Sequence, residues 1–356
     1  MTVRQLGIYA PYTWDVSTAM ACVLADMAVA WHVPVSYLAY QRRDTGVHSG
    51  WDSRVLSVRR RFFESWAARQ SHIVWFDAHK SQVQAARRLG CHNTLVLFPS
   101  RVSKESLMAM RYYDQIVCPT HASYSICHFR KVHSNVLEVP WDSGVAFQDR
   151  LTPPDGRDLR ILLLAEGEMA RDHAPSLAQA VGYLLDGPKD FVFTICHHRN
   201  WSRAAAGIWR DLKRAFPDRL EFKRKPSRDW RLTAYQQHHW FFYPRLKDAA
   251  GFYALEALAV NCPVLAFNLP PINEFVRTAY NGHLLSCPGD YNWFGAPQGK
   301  SINRRSLLRE LEMVFDCDNY HRDLREREWQ ELSGRRKYFA ESWRSLWGLR
   351  DDKTAC

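Results

Sequence analysis

The sequence predicts an α/β protein of two domains assembled from βαβ units, and three observations carry that prediction. The chain has 356 residues, more than one ordinary core organises and suited to two domains of about 150–200 residues each. Short unbroken apolar runs, such as Arg160 to Ala165 and Trp240 to Tyr243, read as strands buried on both faces, the mark of parallel sheets. Between the halves lies AFQDRLTPPDGRD (146–158), polar with adjacent prolines, which reads as a linker. The expected domains are therefore 1–150 and 151–325, followed by a helical tail at 326–356.

Composition narrows the function classes. Hydrophobic residues make up 46% and charged residues 24%, the balance of a globular protein. No apolar run approaches the length of a membrane span, and MTVRQLGIYAPYTW lacks the charged start and apolar centre of a signal peptide, so a cytoplasmic protein is expected. Nine cysteines are present with no CxxC pair, which indicates reduced thiols and neither a zinc knuckle nor a disulfide framework. The net charge of +11 attracts polyanions: nucleic acid, an anionic membrane face or a nucleotide-linked substrate. Fourteen tryptophans are mostly core material, and exposed ones are suited to stack on a base or sugar face.

Taken in order, Arg4 to Ala10 read as the first buried strand and Ser17 to Trp31 as a helix capped by Asp15 or Ser17. The turn between them carries Tyr12, Thr13 and Trp14 and no glycine, a shape suited either to an acceptor or to simple aromatic packing. Val35 to Tyr40 form a second strand. A polar loop then leads into the basic helix RRRFFESWAARQ, where Arg59, Arg60 and Arg61 make a dense positive cluster near Arg54; this is a solvated face or a phosphate-contacting patch. His72 to Phe76 make a strand ending in Asp77, Ala78 and His79, and a polar pair at the carboxyl end of a parallel strand points into a binding crevice. Thr94 to Phe98 follow, then DQIVCPTHASYSICHFRK as strand, turn and helix with Thr120 at the cap. NVLEVPWDSGV closes the domain.

The second domain opens with the strand Arg160 to Ala165. It continues through a helix from Pro175 to Leu185, a strand from Phe191 to Cys196 tipped by HHRN with Arg199, a helix from Ile208 to Phe216 and a short strand from Leu220 to Phe222. KRKPSRDWR reads as a basic loop before a small helix from Trp230 to His239. Trp240 to Tyr243 are a strand, Pro244 to Ala250 a turn, Phe252 to Val260 a helix stopped by Asn261, Cys262 and Pro263, and Val264 to Phe267 the next strand. This is one βαβ unit whose first turn lies where α/β sheets bind ligands. Gly251 is expected to let a ligand approach the backbone, with the helix N-terminus behind it favouring an anion. Asp248 and Glu256 flank that notch. Helices at about 304–315 and 323–347 complete the chain.

The stretch from Phe241 to Pro288 resembles the E-x7-E signature of retaining GT-B glycosyltransferases of the GT4-like group. The matching residues are Pro244, Asp248, Gly251, Phe252, Glu256, Ala257, Ala259, Pro263 and Val264, then Pro271, Ile272 and Glu274, and Asn281, Gly282 and Leu284. The first acid is Asp where the family has Glu, and Asn261 stands in place of a Gly. A weaker likeness covers 110–145, where Pro140, Gly144 and Val145 hold family positions, and the strand end at Asp77 and His79 resembles the family's V-V-H-x-H. The family's diphosphate-holding G-R-x5-K is absent; Glu166 occupies the Arg place, leaving Arg171, Arg199, Arg245 and Lys247 as substitutes.

The resemblance implies a GT-B fold: two Rossmann-like domains with a cleft between them and a C-terminal helix crossing back. It implies transfer of a sugar from a nucleotide donor, UDP-linked by expectation, with retention and without metal or other cofactor. Glu256 would hold the ribose hydroxyls and Asp248 the sugar. Ala250, Gly251 and Phe252 would supply backbone N–H groups to sugar or phosphate. Asp77 and His79 would contact the acceptor hydroxyl, and Tyr12, Thr13, Trp14 and Arg59 to Arg61 the rest of the acceptor. The charge and the aromatic surplus favour hydroxymethyl-pyrimidine DNA, as used by phage-type DNA glycosyltransferases. The alternatives are a glycan or lipid acceptor at an anionic membrane, and a non-catalytic scaffold that binds nucleotide or nucleic acid.

Overall fold

The structure, a computed structural model of the full chain, describes residues 3–12, 16–42, 51, 54–57, 62–98, 104–145, 158–165, 174–197, 203–246, 248, 250–287, 304–316 and 329–349. The chain divides into two compact units, Met1–Gly144 with Ser333–Cys356, and Val145–Leu332.

The first unit is a seven-stranded parallel sheet of β1 (Leu6–Tyr12), β2 (Val35–Arg42), β3 (Leu56–Ser57), β4 (His72–Trp75), β5 (His92–Val96), β6 (Gln115–Cys118) and β7 (Val136–Glu138) in the order β3-β2-β1-β4-β5-β6-β7. Its helices are α1 (Val16–Ala30), α2 (Phe63–Ala67), α3 (Lys80–Arg88), α4 (Lys104–Met110) and α5 (His121–Phe129). Helices on a parallel sheet bury both of its faces, so β1 and β4 are buried at every position. In register, Ile8 lies between Tyr37 and Val74. The Thr120 cap is present: its side chain accepts from the Ser123 N–H, and the Ser123 hydroxyl reaches back to complete a capping box.

The second unit is a six-stranded parallel sheet of β8 (Leu159–Leu164), β9 (Phe191–His197), β10 (Leu220–Arg224), β11 (Trp240–Tyr243), β12 (Val264–Phe267) and β13 (Gly282–Leu285) in the order β10-β9-β8-β11-β12-β13. It carries α6 (Ala174–Asp186), α7 (Arg203–Ala215), α8 (Arg228–Gln237), α9 (Phe252–Ala259) and α10 (Arg304–Asp316). Its core joins Ile161, Leu163, Trp209, Trp240, Phe242 and Leu311. The last helix, α11 (Trp329–Leu346), contributes Phe339 and Trp343, with Trp347 just beyond it, to the first unit. Trp141 lies 5.1 Å from the Phe339 ring and 5.8 Å from Trp343. Trp347 packs on Trp31 at 5.7 Å, and its carbonyl accepts the Val3 N–H at 2.9 Å.

Three sequence expectations change. The stretch KRKPSRDWR is not one loop: Lys223 and Arg224 end β10, while Arg228 to Arg231 form the first turn of α8. Helices α3 and α4 were not anticipated; α3 is polar enough to resemble a loop, and its stop signal is Gly90 at φ +79°. Tyr12 belongs to β1 and not to the turn beyond it.

Both sheets reverse strand order once. After β3 the chain returns to the other side of β1 to lay down β4, and after β10 it returns beside β8 to lay down β11. The crevices at the carboxyl ends of β1/β4 and of β8/β11 are where open α/β sheets take ligands.

Removing the Trp343 side chain, fully buried in the aromatic cluster, is expected to destabilise the first unit by about 3–5 kcal/mol; urea unfolding of Trp343→Ala measures this. Two buried histidines set an acid limit. Burial, then the neighbouring His92, holds His72 down to about 3, and burial holds His238 down to about 4. Both are neutral when folded, whereas the unfolded imidazoles protonate near their ordinary value of about 6.5. Stability is therefore complete above that value and falls by several kcal/mol as pH drops towards 4. A urea midpoint identical at pH 7.5 and 4.5 would contradict this.

Candidate functional site

At the second switch point the apolar strand WFFY delivers Tyr243 to the sheet edge, and Gly251 caps α9 with φ +65°. Asp248 closes the turn between them. Its Oδ1 accepts the Ala250 and Gly251 N–H groups at 3.2 and 3.1 Å, and its Oδ2 accepts the Tyr243 hydroxyl. A carboxylate beside a helix N-terminus is favourably placed against the helix dipole. Burial, then Asp248, raises the Tyr243 pKa well above its ordinary value, so Tyr243 remains a donor at neutral pH and fixes the carboxylate.

This geometry corrects several donor-side expectations. The Ala250 and Gly251 amides, expected to face sugar or phosphate, donate to Asp248 Oδ1. A Cβ on Gly251 would meet Phe275 Cζ at 2.3 Å and Ile272 Cδ1 at 2.8 Å, so the close approach this glycine permits is that of the protein's own side chains. Ala250 and Phe252 are fully buried and brace the turn from within. Arg245 stays at the edge, its guanidinium 6.0 Å from the Tyr243 ring centre.

Glu256 is 0% exposed. Its Oε2 accepts Arg231 Nε at 3.1 Å, and its Oε1 accepts Arg231 Nη2 at 3.2 Å and Arg228 Nε at 3.1 Å. Arg228 and Arg231, three residues apart, share one face of α8, and the acid faces them from the second turn of α9. Arg231 also lies over the Tyr253 ring at 4.7 Å. Burial opposes the charge of Arg231, and the Glu256 carboxylate more than offsets it, holding the guanidinium pKa above its ordinary value. Both carboxylate oxygens of Glu256 thus carry guanidinium hydrogen bonds, where a side chain open to a ribose was expected.

Neither arginine was singled out individually in the sequence; both lie in the basic stretch KRKPSRDWR, whose charges were expected to serve phosphates or a polyanion. The available signal was α9 itself: FYALEALA has one charge in an otherwise apolar helix, and a charge there requires a buried cation opposite. The i, i+3 pair in RDWR supplies it.

At the first switch point Asp77 and His79 follow β4. Asp77 Oδ2 accepts the Tyr40 hydroxyl at 2.5 Å, and the His79 backbone N–H donates to the Tyr113 hydroxyl at 3.0 Å. The His79 ring meets Tyr40 and Tyr9 edge-on at 4.6 and 5.2 Å. Burial lowers its pKa against the opposing pull of Asp77, and its buried Nε2 has no hydrogen-bond partner. Beside it opens a cleft of about 520 Å³ lined by His79, Lys80, Ser81 and Gln84 of the α3 start and by Glu105 and Ser106 of α4.

Tyr12 takes no part in this cleft's lining; it is 0% exposed, with its ring against Tyr37 at 5.8 Å, because the strand runs two residues further than its sequence suggests. Thr13, Trp14, Arg59, Arg60, Arg61, Glu166, Arg171, Arg199 and Lys247 lie outside the described residues. Arg54 is exposed and sits over Trp51 at 5.7 Å. Among the described residues no cluster of three or more His, Cys, Asp or Glu side chains could hold a metal ion, and no helix is long and apolar enough to cross a membrane.

The sequence matches no protein-family profile and no curated protein. Solved structures align from end to end. HepE of Anabaena, in complex with UDP and glucose, superposes with a TM-score of 0.69 at 11% identity, covering 97% of this chain and 100% of its own. Sucrose-phosphate synthase from Thermosynechococcus elongatus gives 0.67 at 14% identity over 98% and 100%. The lipopolysaccharide outer core galactosyltransferase WaaB gives 0.62 at 12% identity over 97% and 100%. These structures share the GT-B fold, and the present chain has that fold.

Glu256→Ala strands Arg231 as an unpaired buried charge, and a loss of about 3–5 kcal/mol is expected. A urea midpoint unchanged from wild type would show that the ion pair contributes nothing.

Proposed function

We propose that the chain is a glycosyltransferase of the GT4-like type that moves a sugar from a UDP-linked donor to an acceptor hydroxyl, with retention and without a metal. The observation that carries this reading is the Asp248 carboxylate held at the carboxyl edge of β11 by Tyr243 and the α9 amides. An acid fixed in that way offers its remaining lone pairs to sugar hydroxyls without reorganising. The end-to-end fold shared with HepE, whose structure contains UDP and glucose, supports the donor class. As the bond from the anomeric carbon to the leaving phosphate oxygen breaks, the sugar becomes cationic and the diphosphate leaves as an anion. Asp248 faces the first charge, and Arg245 with Lys247 is suited to the second. Glu256 belongs to this donor half through the helix it anchors.

The acceptor half is the cleft beside His79. Burial keeps this imidazole neutral, so it can accept a hydrogen bond from an acceptor hydroxyl, and Asp77, bound by Tyr40, supports the same strand end. Serine, glutamine, one lysine and one glutamate line the cleft, a charge-balanced and hydroxyl-matching surface. That favours a glycan acceptor over a phosphodiester, which calls for cationic excess. The DNA reading, an acceptor hydroxymethyl-pyrimidine, stands second on the net charge of +11.

The test is UDP release from UDP-glucose, UDP-galactose and UDP-N-acetylglucosamine by the full chain, with oligosaccharide acceptors in one arm and hydroxymethylcytosine DNA in the other. Products are read by mass spectrometry. Transfer is expected in the oligosaccharide arm, insensitive to EDTA, and reduced about 10²-fold or more in Asp248→Asn. Glucosylated nucleosides would establish the second reading in its place. Failure to release UDP from any donor, in either arm, would remove the transferase assignment.

A further inference from the structure

Charge is segregated along the strands of the first sheet. Of the five acids between Phe62 and Glu138, Asp77 and Glu138 lie at or just beyond carboxyl strand ends, Glu105 opens α4, and Glu64 lies in the first turn of α2. Asp114 alone stands at the amino-terminal rim, half-buried, with its Oδ2 accepting the Asn93 N–H at 2.8 Å. Exposed cations gather there instead: Arg4 before β1, Arg69 before β4, Arg87 and Arg88 at the end of α3, and Arg130 and Lys131 beyond α5.

Hydrogen bonds join this rim into one row. The Ser71 hydroxyl accepts the Arg4 and Gln5 N–H groups at 2.9 and 3.0 Å, and the Ser71 carbonyl accepts the His92 N–H at 3.1 Å. The Asp114 carbonyl accepts Asn135 Nδ2 at 3.1 Å. Neighbouring strands lie about 4.8 Å apart, so the row from β1 through β4, β5 and β6 to β7 runs about 20 Å, over which one strand of duplex DNA presents about six phosphates. Bases in the last turn of a helix complement its dipole, which is reason enough for Arg87 and Arg88. It gives no reason for Arg4 at the head of a strand, nor for the apolar side chains set among the cations. Leu89, next to Arg88, is 45% exposed, and Phe129, next to Arg130, is 80% exposed.

We propose that the amino-terminal rim of the first sheet is a docking surface for a nucleic-acid backbone. The guanidinium fork matches phosphate oxygens, and an exposed aromatic ring such as Phe129 stacks on an accessible base. An anionic bilayer would attract the same cations, but holding a protein there takes a helix with an apolar face turned outward. Here α3 turns Val83, Ala85 and Ala86 inward, and Leu89 and Phe129 stand apart on separate helix ends. The rim lies at the opposite end of the strands from the β1/β4 crevice, so a docked polymer leaves that crevice open. It is a tether, whatever the acceptor, and the inference is independent of the donor reading. It also gives part of the net charge of +11 a place and a use.

Fluorescence anisotropy of the full chain with labelled single-stranded and duplex DNA, over a range of NaCl, tests this. Wild type is expected to bind both, with log affinity falling linearly against log salt. A variant combining Arg69→Gln, Arg87→Gln, Arg88→Gln and Lys131→Gln is expected to bind about tenfold or more weakly, with a salt slope shallower by about three. These side chains are exposed, so its thermal midpoint and its UDP release should match wild type. A control combining Arg210→Gln, Arg214→Gln, Arg309→Gln and Lys337→Gln removes the same charge from exposed sites elsewhere and should bind nearly as wild type does. Phe129→Ser is expected to weaken single-strand binding about fivefold or more and to leave duplex binding unchanged. Equal losses in the rim variant and the control would reduce the binding to net charge and overturn the inference. A wild-type chain that binds neither DNA at low salt overturns it as well. So does one that binds phosphatidylglycerol vesicles and no DNA, which would assign the rim to a bilayer. Because UDP release is read separately, failure of this inference and failure of the donor reading are distinguishable.

Discussion

One buried ion pair fixes the working geometry of the second unit. Two helices, α8 following β10 and α9 following β11, are tied by a carboxylate without solvent access and a guanidinium nearly as buried. Neither charge is tolerable alone at that depth, so each specifies the position of the other. The same carboxylate also accepts Arg228 Nε at 3.1 Å, so two side chains of α8 converge on one side chain of α9. Apolar residues of similar volume could hold the helices together as strongly, but they would not fix one helix against the other through directed hydrogen bonds.

The cap on α9 is built from the protein's own side chains. The glycine is required twice over, by a left-handed backbone angle and by the Phe275 ring occupying the space a side chain would need. The acid before it takes the amides that a ligand would otherwise have found. The carboxyl edge of β11 therefore presents oriented side chains in place of bare backbone.

The fold was legible in the sequence because its strands are unbroken apolar runs and its turns carry clear stop signals, as at Asn261, Cys262 and Pro263 or at the Thr120 cap. Strand order was not legible, and the crevices follow from strand order. The site was readable only as a set of positions: Asp248, Asp77 and His79 follow strand ends as their spacing indicates, and Glu256 lies in the second turn of α9. What each touches was hidden, because the partners come from elements distant in sequence. Tyr40 reaches Asp77 across 37 residues and Arg228 reaches Glu256 across 28. Tyr12 was misread because the strand continues two residues beyond Ala10, which converts a turn position into a core one.

The aromatic docking of the last helix carries a consequence for how the molecule is made. The first unit is discontinuous, its core requiring Phe339, Trp343 and Trp347 from the far end of the chain. During synthesis the intervening unit emerges whole and can close its sheet on the ribosome. The unit begun first must wait, with Trp31 and Trp141 uncovered, until Phe339, Trp343 and Trp347 have emerged. Birth order and maturation order are thereby reversed, and the unfinished N-terminal half is the stretch on which a nascent-chain chaperone would act.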